Sequence, residues 1–175
     1  MTNRNRTKRL VLSALFLALA YLLPFLTGQI PEVGNMLCPM HLPILLCGFL
    51  CGWPWGLAVG FIAPIFRSLI LTMPPFFPKA LCMAFELATY GAIAGLGYKL
   101  FPRKKIFIYL SLLIAMIAGR LVWGAAMFLC LSASGGGFTL AAFLAGAVTN
   151  AIPAILIQIV LIPVLVMIAE RQKAE

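Results

Sequence analysis

Apolar runs long enough to cross a bilayer alternate along this chain with short clumps of polar, glycine and proline residues. A spanning helix needs about 20 mostly apolar residues, within about 17–25. On that measure the pattern predicts six helices. The first runs from about Lys8 to Thr27 and is followed by a turn-rich segment from Gly28 to Asn35. The second, from Pro39 to about Cys51, is short, so it is tilted or starts within the membrane. Gly52-Trp53-Pro54-Trp55-Gly56 reads as a tight turn with interfacial tryptophans. The third helix runs from Gly56 to Thr72 and is broken by Met73-Pro74-Pro75. The fourth runs from Phe77 to Leu100, the fifth from Ile106 to Ser132, and the sixth from Phe138 to about Ala169. Pro153 and Pro163 kink or interrupt the last of these.

Composition strengthens this reading. The hydrophobic fraction is 63% and the mean hydropathy +1.09. At 19.0 kDa the chain holds one domain, residues 1–175, with residues 1–7 and 170–175 as polar tails. The apolar run from Leu10 to Leu23 follows basic residues, as in a signal peptide. It is followed by Pro24-Phe25 and by no small-residue cleavage site, so it reads as a retained helix.

The net charge of +9 would suit nucleic acid, but its distribution argues against that. The basic residues concentrate at Arg4, Arg6, Lys8 and Arg9, at Lys99, Arg103, Lys104 and Lys105, and at Arg171 and Lys173. An even number of crossings puts all three clusters on one face, as the positive-inside rule requires of the cytoplasmic side. An odd number would split them. Both termini are therefore expected in the cytoplasm, in a multi-pass protein of the cell membrane.

Against this background two ionisable residues stand out. Glu86 and Arg120 lie deep in apolar runs, in a chain with only 4 acids. A charge at the bilayer centre costs about 2.5–3.5 kcal/mol on insertion scales, so such residues face a bundle interior or a polar cavity. At a rise of 1.5 Å per residue, Glu86 lies about 13 Å in from the outer end, and Arg120 and Asn150 about 18 Å. The three share one level on consecutive helices.

Helical spacing extends each into a stripe: Lys79, Met83, Glu86, Tyr90; Met116, Arg120, Trp123, Met127; and Phe143, Ala147, Asn150, Ala154. Apolar walls with a few polar groups are what a small-molecule pocket requires. A buried Glu86–Arg120 pair that only holds two helices together is the alternative, and the two are compatible. Arg67, near the outer end of the third helix, either reaches a ligand or snorkels to lipid headgroups. The segment from Gln29 to Cys38 can act as a lid. Asn35 and His41, at its return into the membrane, are candidate contacts at the pocket edge.

Other chemistry finds little support. The cysteines at 38, 47, 51, 82 and 130 include no CxxC, and His41 is the sole histidine, so no metal or cofactor is expected. Ser134 has no activating base nearby in sequence, which argues against a serine enzyme. No Gly-x-x-x-x-Gly-Lys-Ser/Thr phosphate loop is present, so any ATP-driven step belongs to a partner.

Three segments carry a family resemblance. They are Asn35-Met36-Leu37-Cys38-Pro39-Met40-His41-Leu42-Pro43-Ile44-Leu45-Leu46-Cys47-Gly48, Ala84-Phe85-Glu86-Leu87-Ala88-Thr89-Tyr90-Gly91, and Ala118-Gly119-Arg120-Leu121-Val122-Trp123-Gly124. With Ala14 and Ala18 one turn apart on the first helix, and with the size and helix count, they make nearly the whole chain resemble an S component of an energy-coupling factor (ECF) transporter. The resemblance implies a membrane subunit that binds a water-soluble vitamin or related micronutrient from outside, without enzymatic activity of its own. It implies a pocket under the loop between the first two helices, formed by the outer halves of helices four to six. It also implies docking through Ala14 and Ala18 onto a membrane coupling subunit that works with two cytoplasmic ATPases. Pantothenate-, pyridoxine- and folate-like cargoes all remain open. A self-contained secondary transporter and a structural assembly subunit are the rival classes.

Overall fold

The computed structural model describes residues 3–26, 37–102, 104–137, 139–147 and 149–174. Helix α1, Asn3–Leu26, begins before the apolar run, because the basic residues that precede it are good helix formers. Helix α2, His41–Cys51, tolerates Pro43 in its first turn, where a missing N–H costs no intrahelical bond. It ends at Gly52, whose φ of 99° suits a residue without Cβ. Helix α3, Trp53–Leu71, starts directly after that glycine with Pro54 in its first turn.

Phe77, immediately before Pro78, takes the extended conformation that a following proline favours, within a wide turn over Phe76–Ala80. Helix α4, Leu81–Leu100, continues from it. Helix α5, Lys105–Ala133, is the longest at 29 residues. The expected sixth helix is divided. A short α6, Leu140–Ala147, and a tight turn over Thr149–Ala151 precede α7, Ile152–Ala174. Pro153 is the second residue of α7, so it opens that helix, whereas Pro163 lies inside it.

The fold is all-α among the described residues, and five of its helical runs have the length and apolarity to cross a membrane. The expected six spans are met in that part. The difference lies in α2, whose 11 residues rise about 16 Å, roughly half the hydrocarbon thickness. Helices α1 and α7 extend through much of the polar terminal segments, from Asn3 and to Ala174.

Glycines set the packing at the centre. A Cβ on Gly91 of α4 would stand 2.2 Å from the Gly56 carbonyl oxygen of α3, and one on Gly48 of α2 would stand 2.4 Å from the Gly91 oxygen. Three backbones therefore meet where side chains would hold them apart. Ile44, Leu45, Leu87, Tyr90 and Leu112 fill the surrounding core. At one end of the bundle the Tyr98 hydroxyl donates to the Glu170 carboxylate, and Arg9 of α1 lies beside Gly52. The start of α1 and the end of α7 thus share that end. The outer surfaces of α1, α5 and α7 are apolar, with Val11, Leu15, Ile117, Leu121, Leu156 and Val160 all more than half exposed, as a lipid-facing surface requires.

Candidate functional site

The Glu86 carboxylate is almost fully buried, six residues into α4. Arg120 of α5 forms an ion pair with it, Nη1 standing 3.1 Å from Oε1. His41, the first residue of α2, approaches the same oxygen through Nε2 at 3.4 Å. The approach of α5 depends on Gly119, where a Cβ would lie 3.1 Å from the Tyr90 ring and 3.2 Å from the Glu86 carbonyl oxygen. The residue that permits close packing thus precedes the residue that supplies the charge.

The approach of His41 depends on the short α2. Because that helix starts at the level of Glu86, its first side chain reaches the carboxylate and its body runs alongside α4 to the Gly48–Gly91 contact. Backbone that is not helical is tolerated at membrane depth only where protein buries it or a cavity adjoins it. Residues 38–40 meet that condition beside Arg120, whose Nη2 donates to Cys38 Sγ at 3.9 Å. The Tyr90 ring packs edge-on against His41, with centroids 5.1 Å apart. Glu86, Arg120, His41, Tyr90 and Cys38 therefore form one cluster drawn from α2, α4, α5 and the segment before α2.

An ionised pair held this way has an energetic signature. The charges are desolvated, and removing one partner strands the other at a cost of about 3–5 kcal/mol. Three polar atoms of the cluster, His41 Nδ1, Arg120 Nε and the Tyr90 hydroxyl, are buried without a hydrogen-bond partner among the described residues. Buried polar groups are seldom left in that condition, and each calls for an explanation.

The remaining expected residues are distributed elsewhere. Arg67 is buried but apart from the cluster: its Nη1 donates to the Tyr21 carbonyl oxygen of α1 at 3.3 Å, and its guanidinium lies over the Phe25 ring. It braces α3 against α1. Trp123, one turn beyond Arg120, stacks on Phe143 of α6 at 6.2 Å. Gly146 makes room for its ring, since a Cβ there would meet Trp123 Cη2 at 2.7 Å. Asn150 lies in the tight turn between α6 and α7, and its side chain falls outside the described residues, as does Asn35.

Ala14 and Ala18 are exposed on α1, on one face with Val11, Leu15 and Leu22. Sequence reasoning missed Cys38 and Gly119. The nearness of Cys38 to Arg120 has no sequence signal. Gly119 could have been found from its position next to a buried arginine.

Two grooves occur in the molecule away from the cluster. One, lined by Leu121, Gly124, Ala125, Phe128 and Phe143 with Thr139 and Leu140, lies between α5 and α6. The other follows α1 from Thr7 to Leu15. Both are apolar and open to the surface, so neither offers the converging polar groups that orient a small hydrophilic molecule. Among the described residues, no group of three or more His, Cys, Asp or Glu side chains could hold a metal ion.

Comparison with known families gives one result. The model of the ECF transporter substrate-specific component family matches residues 8–166, which include every element of the cluster. No curated protein and no solved structure matches the chain.

Proposed function

The chain belongs to the family of ECF transporter substrate-specific components, and from that premise we propose that it captures a water-soluble vitamin or related micronutrient at the outer face of the cell membrane. The observation that carries this reading is the buried Glu86 carboxylate shared by Arg120 and His41, with three polar atoms beside it unpaired among the described residues. A bilayer protein that keeps polar groups at this depth gains from them through a bound molecule as well as through packing. Pantothenate-, pyridoxine- and folate-like compounds are the cargo types this reading starts from.

The protein acts as a binding subunit and not as an enzyme. Energy for uptake comes from an ECF module, a membrane coupling subunit with two cytoplasmic ATPases. The exposed Ala14–Ala18 face of α1 is the docking surface, because small residues one turn apart let another helix approach closely. The basic clusters support a cytoplasmic location for both termini.

Reconstitution tests the assignment. Proteoliposomes holding the chain with an ECF module and internal ATP are expected to accumulate a compound that co-purifies with the chain. Proteoliposomes holding the chain alone are expected to bind it without accumulation. Accumulation by the chain alone would make it a secondary transporter.

A further inference from the structure

Among the described residues the Glu86 cluster leaves three polar atoms unpaired: the Tyr90 hydroxyl, which can donate or accept, and two of opposite kind on His41 and Arg120. His41 is 3% exposed, and among the described residues its Nδ1 has no hydrogen-bond partner, while Arg120 Nε is buried and equally unpaired. An ionised carboxylate only accepts, so the ring nitrogen that meets Glu86, Nε2, carries a proton. In the neutral imidazole Nδ1 is then an acceptor. Arginine Nε always bears hydrogen and can only donate. Both residues meet one carboxylate oxygen, so the acceptor and the donor belong to side chains of the same cluster.

The charges of the cluster are already matched. One carboxylate faces one guanidinium at 3.1 Å, and with a neutral imidazole their formal sum is zero. A fully charged ligand would therefore enter without a counter-charge. The nearest free choices are engaged or remote: Arg67 is tied to the Tyr21 carbonyl of α1, and Lys79 is exposed on the turn before α4. A buried charge without a partner is strongly disfavoured. A carboxylate would also present only acceptors, placing lone pairs against the lone pair of Nδ1.

Resting on the capture reading above, we propose that the cargo is electrically neutral and offers one hydrogen-bond donor to His41 Nδ1 and one acceptor to Arg120 Nε. The edge of an amide, a lactam or a hydroxylated nitrogen heterocycle meets both demands. Tyr90, packed edge-on against His41, holds the imidazole plane for that contact. Among the starting cargo types this selects the neutral ring compound over the carboxylates.

The test uses the full chain in lipid nanodiscs, equilibrated with the small-molecule fraction of yeast extract, washed and denatured. Released compounds are identified by mass spectrometry against empty nanodiscs. The expected result is enrichment of a compound that is neutral at pH 7 and has an N–H or O–H donor with a carbonyl or ring-nitrogen acceptor. Enrichment of a carboxylate, phosphate or cation overturns the neutral-cargo proposal and leaves the capture reading standing. No enrichment over empty nanodiscs overturns the capture reading itself.

The enriched compound is then titrated against two conservative variants. His41→Gln keeps an amide able to reach Glu86 and offers nothing at Nδ1, and Arg120→Lys keeps the charge and removes Nε. Each is expected to melt near wild type and to bind about tenfold more weakly, the loss of one good hydrogen bond. Wild-type affinity in either variant overturns the assignment of that atom.

Discussion

Glu86 and Arg120 form a pair whose two possible roles separate under substitution. Either Glu86→Gln or Arg120→Gln alone strands a buried charge, and each is expected to lower stability by about 3–5 kcal/mol. The double substitution removes both charges and is expected to recover most of that loss, while cargo affinity falls at least tenfold. Thermal melting and calorimetric titration of the three variants check this. A double variant that folds and binds as wild type would reduce the pair to a helix brace. Both residues were legible in the sequence because a lone charge in a long apolar helix has a depth that can be counted in residues. His41 was visible only as an edge group, and Cys38 not at all. Their positions depend on where α2 begins, which no local pattern announces.

Elements of this chain were legible in proportion to their regularity. The long helices α1, α3, α4 and α5 follow from unbroken apolar runs bounded by basic, proline or glycine residues. The last run is interrupted near Pro153 as expected: Leu140–Ala147 and Ile152–Ala174 have continuous hydropathy but are separated by a tight turn ahead of that proline. The glycine contact between α3 and α4 makes a direct test of element packing. Gly91→Ala puts a methyl group against the Gly56 carbonyl, with only backbone to yield, and is expected to destabilise by about 1–3 kcal/mol. Measured melting near wild type would show that α3 and α4 can separate freely. The α1 face is tested separately. Ala14→Trp or Ala18→Trp is expected to leave cargo affinity near wild type and to abolish ATP-driven uptake, because the bulky ring holds the coupling helix away from the exposed side of α1. Loss of cargo binding with intact assembly would move the docking surface elsewhere.

For the whole molecule, sidedness is the property that function needs, since capture and release occur on opposite faces. Both terminal helices end beside the α2–α3 turn and the end of α4. That arrangement agrees with the clustering of basic residues, and Arg103→Cys in a chain lacking its native cysteines is expected to react with membrane-impermeant maleimide only after cell lysis. Labelling in intact cells would reverse the orientation. The sequence by itself determined the solvent of this protein, the approximate spans, the common side of the basic clusters and the presence of two charges at bilayer depth. These follow from hydropathy and counting along one axis, where each residue adds a known rise. Only the tertiary structure decided that α2 starts inside the bundle, that Gly48, Gly56 and Gly91 bring α2, α3 and α4 together, and that His41, Cys38 and Arg120 converge at Glu86 while Arg67 does not. Those are lateral distances, set by how side-chain volumes fit between helices distant in sequence, and periodicity along a single chain carries no term for them.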